Sequence, residues 1–293
     1  MSTEIIMALI MNLLLLLFSA ALVRSGHSML PLKSFQISEN VTYDCIDIYN
    51  QPGLDHPLLK NHTIQIARVR SNNGPFRGIE AWFNGYALNI SNDEASYSEI
   101  YIGSGSDKEV NFISTGFMGK DGKGCYNTGC PGFVQVSHEV PLVEPFDLKP
   151  GVPVWLRCSI HQDKQTENWW ITLLSKPNVD IGYWPKELFN LLNNGANVVG
   201  VGGVVKASPS GSSPPMGNGK FPTGDRKASA MFTNIEALNS NYEQRKIDSF
   251  HMEKFLDSPN CYGLRIGSVK PFHRTLLGFF FNYGGPGGNS CGV

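Results

Sequence analysis

At 293 residues the chain can hold one large domain or two small ones and can bury a sizeable core. Charged residues make up only 17%, while 31 Gly and 18 Pro favour many turns and short strands over long helices. A formal net charge of -1 gives no electrostatic reason for nucleic acid as a partner.

From Ile5 to Val23 the sequence is almost entirely apolar, and Arg24 ends the run. The small residues Ser19, Ala20 and Ala21, then Ser25 and Gly26, suit signal-peptidase cleavage, so residues 1–25 are read as a signal peptide and the protein as secreted. The competing reading is an uncleaved anchor, since about twenty apolar residues can cross a bilayer. No later segment is long enough to span, so no stable membrane span is expected once the leader is cut. The sequons at Asn40, Asn61 and Asn89 agree with a secretory route and predict a glycoprotein.

Residues 26–72 are polar and mixed, and from about Asn73 the chain reads as short strands between turn clusters. Candidate strands are Ile79 to Ile90, Ser98 to Ile102, Gly132 to Val136, Val152 to Ile160, Trp169 to Leu174 and Leu277 to Tyr283. Few amphipathic helices intervene, so the expected fold is all-β: an antiparallel β-sandwich over 73–293 with many loops. One short helix is expected after Trp184, with Pro185 at its start, Gly195 at its stop and Leu188, Phe189, Leu191 and Leu192 on one apolar face. The Ser/Pro/Gly-rich stretch from Ser208 to Thr223 reads as a surface loop.

Six cysteines suit an oxidising compartment. Cys125 and Cys130 enclose a short loop that a disulfide could close, and Cys261 and Cys291 bracket the C-terminal segment. A bridge across the latter would stabilise the fold by about 2–4 kcal/mol in the chain-entropy picture. Whether Cys45 and Cys158 pair stays open. Zinc is the competing use of the Cys-x4-Cys spacing, but no second Cys or His pair lies at finger-like distance, and no metal or cofactor is expected.

The ordinary catalytic signatures are missing. The sequence contains no His-Glu-x-x-His, no Gly-x-Ser-x-Gly and no phosphate loop, and its histidines are scattered. A run of other landmarks is more informative. Asp44-Cys-Ile-Asp-Ile-Tyr-Asn-Gln-Pro52 and Asp55-His-Pro-Leu-Leu-Lys-Asn-His-Thr-Ile-Gln65 are followed by Cys125-Tyr-Asn-Thr-Gly-Cys-Pro-Gly-Phe-Val-Gln135, Asn168-Trp-Trp170 and Gly182-Tyr-Trp-Pro185. Met216-Gly-Asn-Gly-Lys-Phe-Pro222, Cys261-Tyr262 and Tyr283-Gly-Gly-Pro-Gly287 complete the series. In type and order these resemble the plant neprosin-domain proteins.

That resemblance implies an activation-peptide-like segment over 26–72, a β-sandwich over 73–293, and a secreted glutamic endopeptidase cutting after proline. The family's chemistry uses two glutamates across a cleft, one ionised to activate water and one protonated to polarise the scissile carbonyl. Its first glutamate lies in an Ile-Glu-Ala-Gly-Trp-like segment that follows a Ser-x-Ser-Gln-Ile-Trp-Val-like strand. Ser96-Tyr-Ser-Glu-Ile-Tyr-Ile102 matches the strand, but Gly103 to Gly124 reads as too short and without the segment; its one glutamate is Glu109. Glu80, in Gly78-Ile-Glu-Ala-Trp82, precedes the strand and is assigned to an earlier one. The second glutamate belongs to a Trp-Gly-Gly-Glu-Val-like segment, which Val201-Gly-Gly-Val-Val205 matches with Val204 in the glutamate's place.

The expectation is therefore an inactive relative that binds a peptide, protein or cell-wall ligand in the sandwich cleft. The alternative is an active peptidase with a rearranged site, for which Glu80 and Glu109 are the candidates. A third reading is a segment lost from a true peptidase by a splicing or gene-model omission between 103 and 125.

Overall fold

Alternation of side chains across a pleated strand is the simplest signal in this chain, and Ile64–Ser71 carries it as exposed Ile64, buried Gln65, half-buried Ile66 and so on to buried Ser71. The computed structural model describes the backbone of residues 33–38 and 41–45, and residues 64–106, 109–119, 132–140, 148–268 and 279–291. The chain divides into two units, Met1–Gln51 and Pro52–Val293. The first contains an antiparallel hairpin of β1 (Lys33–Ser38) and β2 (Val41–Cys45).

The second unit opens with β3 (Ile64–Ser71), β4 (Gly78–Gly85), β5 (Ala95–Ser106), β6 (Glu109–Gly119) and β7 (Val134–Gln135). It continues with β8 (Val154–Gln162), β9 (Trp169–Leu173), β10 (Val179–Trp184), β11 (Val198–Lys206) and β12 (Ala230–Leu238). It ends with β13 (Gln244–Lys246), β14 (Glu253–Leu256), β15 (Gly263–Ser268) and β16 (Phe279–Gly284). A five-stranded sheet runs β14-β3-β11-β5-β6. A nine-stranded sheet runs β15-β16-β12-β4-β8-β9-β10-β7, with β13 also on β12. Every named pair is antiparallel.

The two sheets bury their facing sides against each other. Val69, Ile100, Ile102, Val201 and Val205 of the smaller sheet share one core with Ile79, Phe83, Ile160, Phe232 and Phe281 of the larger. Phe83 stacks on Phe232 at 4.9 Å and meets Phe117 of β6 edge-on at 5.6 Å. The Tyr283 hydroxyl on β16 donates to Ser98 Oγ on β5 at 2.6 Å, which satisfies a polar group inside the core. The all-β antiparallel sandwich expected from the sequence is present.

Four local expectations differ. The segment after Trp184 is a 3-10 turn at Lys186–Leu188 and no longer helix, because its backbone donors are engaged elsewhere. Asn168 Oδ1 accepts from Lys186 N at 3.0 Å, and Asn111 Oδ1 accepts from Asn190 N and Leu191 N at 3.1 and 2.8 Å. The stretch from Ser208 to Thr223 is not a simple surface loop: Met216 is wholly buried in the core, and buried Ser213 donates to Gln65 Oε1 at 3.1 Å. The strand read from Ile79 to Ile90 ends at Gly85. The stretch between Gly103 and Gly124, read as too short, holds the full-length strand β6.

Cys261 and Cys291 form a disulfide, as the spacing suggested. Cys158, on β8, is a buried free thiol whose pKa is raised by burial. Cys125 and Cys130, the Cys45 side chain, the apolar run from Ile5 to Val23, Asn40 and Asn61 lie outside the described residues, whereas Asn89 is described and exposed.

β3 pairs on one side with β11 and on the other with β14, so Ile64–Ser71 is an interior strand of the smaller sheet. A chain beginning at Pro52 is expected to keep a single cooperative thermal transition. One beginning at Asn73 leaves β11 and β14 with unpaired edges and is expected to aggregate or lack that transition. Circular dichroism melts of the two shortened chains check this.

Candidate functional site on the five-stranded sheet

Strand β11 decides which side chains reach the outer face of the smaller sheet. Val199, Val201 and Val205 point into the core, so Gly200, Gly202 and Val204 point outward. Register extends this face across the sheet. Val204 lies opposite Ile66 on β3 and Tyr97 on β5, and Tyr97 lies opposite Met118 on β6. The next row is Arg68, Gly202, Glu99 and Gly116. The third is Arg70, Gly200, Tyr101 and Ser114.

Glu99 is the centre of the arrangement. Glycine stands on both sides of it, at Gly202 and Gly116, and its carboxylate is paired with the Arg68 guanidinium across Gly202. Burial pushes its pKa up, while the Arg68 charge and a hydrogen bond from Ser114 pull the other way without cancelling the rise. The Arg68 guanidinium also lies 4.7 Å from the centre of the Tyr101 ring, a cation–π contact. Tyr101 stacks on Phe112 at 5.3 Å, and burial raises its phenol to about 12. Gly200 has no side chain because a Cβ there would fall 2.4 Å from the Tyr101 ring. The result is a half-covered aromatic and aliphatic surface over one tightly held ion pair, with Phe112 and Met118 exposed at 40% and 44%.

A second outward carboxylate on this face is Glu253 of β14, which accepts from Arg70 Nε at 2.8 Å. Three strand spacings separate β14 from β5, so Glu99 and Glu253 stand roughly 14 Å or more apart. Each carboxylate has its own arginine. They cannot share a proton, and no facing carboxylate pair lies among the described residues of these strands.

The residues singled out from the sequence are scattered. Val204 is on this face and 8% exposed. Glu109 is at the far end of β6, with its strand position directed to the other side from Ser114, and its carboxylate is bonded to the Asn190 side chain. It lines a cavity of about 240 Å³ with Ser104, Gly105, Leu191 and Asn197. Glu80 is on the outer face of the larger sheet, on the opposite side of the sandwich, where it accepts from Arg157 Nη2 at 2.7 Å. Directly across the β4–β12 pairing stands Glu236, whose pKa is raised by burial and by the Glu80 charge. Glu236, Glu99 and Arg68 were not foreseen. The one available signal was Glu99 in the middle of the Ser96 to Ile102 landmark; its partner lies 31 residues away and has no sequence signature.

A family model described as Neprosin matches residues 118–286, more than half of the chain. The match takes in β11 and Val204 but begins after most of β6.

Loss of Arg68 should leave Glu99 buried and unpaired. Arg68→Ala is expected to destabilise the fold by about 3 kcal/mol near neutral pH. The native-state pKa of Glu99 is raised, so protonation favours the folded protein, and stability falls as pH climbs from the unfolded carboxyl value through the folded one. Arg68→Ala strengthens that trend. Its deficit should shrink between about pH 7 and about pH 4, and Glu99→Gln should rescue it at neutral pH. Chemical denaturation at the two pH values measures both effects.

Proposed function

Because the chain belongs to the neprosin family, a family of glutamic prolyl endopeptidases, we propose that it keeps that family's peptide-binding face without its two-glutamate chemistry. In the family pattern an Ile-Glu-Ala-Gly-Trp-like segment follows the Ser-x-Ser-Gln-Ile-Trp-Val-like strand. Here Ile113-Ser-Thr-Gly-Phe117 of β6 follows Ser96-Tyr-Ser-Glu-Ile-Tyr-Ile102 of β5 and has the same spacing of Ile, Gly and aromatic residue. The first glutamate's place then falls on Ser114, and the second's on Val204. Both are outward positions of one face, on either side of Glu99, which supports the assignment.

Neither replacement can carry the reaction. The Ser114 hydroxyl is spent on Glu99, a carboxylate already held by Arg68, and valine can neither transfer a proton nor stabilise charge. Each general acid or base is worth about 10²–10⁴ in rate, and members of one catalytic unit are not additive. The observation that carries the proposal is the pairing of the remaining outward carboxylates: Glu99 with Arg68, Glu253 with Arg70. Glu99 itself stands where the family pattern has glutamine. A carboxylate there, held by a guanidinium, fills the space between the two lost positions with an ion pair.

What the face retains suits an extended peptide. Tyr97, Phe112, Met118 and Phe255 offer apolar and aromatic surface, with Tyr101 buried behind Phe112, and a proline ring packs against such rings through its C–H groups. The apolar leader, the exposed sequon at Asn89 and the Cys261–Cys291 bridge support secretion. The other reading, a peptidase with a rearranged site, has one observation in its favour. Glu80 and Glu236 face each other across paired strands, and burial together with the Glu80 charge raises the pKa of Glu236.

Purified protein incubated with proline-containing peptides from about pH 3 to about pH 7 is expected to give no cleavage. Calorimetric titration of the same peptides is expected to show binding that Phe112→Ala weakens several-fold. Cleavage abolished by Glu80→Gln or Glu236→Gln would move the chemistry to the larger sheet. Cleavage abolished by Glu99→Gln would return it to the smaller one.

A further inference from the structure

The outer face of the nine-stranded sheet carries features that the peptide-binding reading does not use. Trp82 on β4 and Trp155 on β8 are 37% and 42% exposed, which is unusual for the largest apolar side chains. Trp82 lies opposite Arg157 and Trp155 opposite Asn84, so the two indoles are diagonal neighbours on adjacent strands. Further across the same face, Trp170 on β9 packs against Tyr183 on β10 with ring centres 4.8 Å apart.

Between these aromatic groups the face is polar and concave. Register places Glu80, Ser159 and Thr172 in one row across β4, β8 and β9, and Gly78, His161 and Trp170 in the next. A cavity of about 170 Å³ borders this gap on the β12 side, lined by Glu80, Ser159, His161, Glu236 and Gln244 over Ile79, Ile160 and Leu238. From Trp82 to Trp170 is two strand spacings across and four residues along, roughly 16 Å. The surface therefore alternates an aromatic platform, a row of hydroxyl, carboxylate and imidazole groups, and a second aromatic platform.

We propose that this face is a binding site for a neutral oligosaccharide chain, with Trp82 and the Trp170–Tyr183 pair as stacking platforms and the Glu80–Ser159–His161 cavity as the hydroxyl-reading centre between them. The chemistry follows from the geometry. One side of a pyranose ring presents polarised C–H groups, which are attracted to the negative face of an indole. Its hydroxyls need both donors and acceptors at fixed positions, and a carboxylate, a guanidinium, a hydroxyl and an imidazole supply them.

Charge selects the neutral ligand. Arg157 donates to Glu80 at 2.7 Å, Thr172 donates to Asp180 at 2.7 Å, and Lys246 lies opposite Glu236 in the β12–β13 pairing. His161 is held toward its neutral form by burial, against the pull of Asp180, Asp163 and Glu80. The surface is rich in hydrogen-bonding groups and nearly balanced in charge. Among the described residues it offers no basic field for a polyuronate or nucleic acid and no free acidic cluster for a cation.

This site is separate from the peptide face, and the test reads the two independently. Cellohexaose and xylohexaose are titrated into the full chain by calorimetry, with tryptophan fluorescence as a second signal. At least one of them is expected to bind with a change in indole emission. Trp82→Ala and Trp170→Ala should each weaken binding about tenfold or more, Trp82→Phe should restore most of it, and Phe112→Ala on the other sheet should leave it unchanged. Near-ultraviolet circular dichroism verifies that each variant is folded. The proposal is overturned if neither hexasaccharide binds, if binding ignores Trp82→Ala and Trp170→Ala, or if only polygalacturonate binds and is released by salt. Competition by a proline-containing peptide would assign the face to peptides and overturn it equally.

Discussion

The absence of a side chain at Gly203 is the constraint on which the sandwich depends. A Cβ there would fall 2.6 Å from Met216 Sδ and 2.7 Å from the Tyr283 ring, so glycine lets these groups of the opposite layer press against β11. Met216 and Tyr283 are both wholly buried. Because a strand's side chains alternate, fixing Gly203 inward fixes Val204 outward, and a slip of one residue would reverse every position on β11. The chemistry on the outside of the smaller sheet is thus set by a packing requirement on its inside.

The same strand explains where the sequence could be read and where it could not. The landmark Val201-Gly-Gly-Val-Val205 is conspicuous as a motif, yet it does not announce a strand, since glycines interrupt the apolar alternation and residues 199–206 are buried on both sides. β6 is hidden for the opposite reason. Its inward Asn111 is polar, and only the fold reveals that the side chain accepts from two backbone amides of the 190–191 turn. Those bonds also explain the absent helix: Pro185 and Gly195 punctuate the segment correctly, with Gly195 at φ +97, but the donors of an incipient helix are taken by side chains from β6 and from Asn168. The core strands with clear alternation or β-branched and aromatic runs, such as Val154–Gln162 and Trp169–Leu173, were readable within a residue or two.

Candidate functional residues were legible only where a motif named them. Val204 is found through the resemblance of Val201-Gly-Gly-Val-Val205 to the family motif, and the structure places it outward. Glu99 is different, because a lone glutamate in a strand has no meaning until Arg68 is known to lie across Gly202 from it. Glu80 and Glu236 repeat the lesson on the other layer: they come from distant parts of the chain and become neighbours only through the β4–β12 register. A β-sandwich has two outer faces, and this one presents different chemistry on each. The smaller sheet offers a largely apolar surface around a salt bridge, the larger a polar hollow between exposed indoles.

The position of β3 has a consequence for the order in which the protein assembles. Its partners are far along the chain: Arg70 bonds to Glu253 across 183 residues, and Ser98 of β5, on the other side of β11, waits for Tyr283 across 185. Strand β3 emerges early in synthesis, but it cannot be enclosed until β11 and then β14 have followed. For most of that interval the smaller sheet exists as a β5–β6 hairpin and an unpaired β3. Closing such long loops is slow, and open strand edges are prone to wrong pairing. Residues at the N-terminal end of the sandwich therefore depend, for their final structure, on residues close to the C-terminus, and a ribosome that stopped shortly before Phe279 would release a chain whose core had neither Phe281 nor Tyr283 to close it.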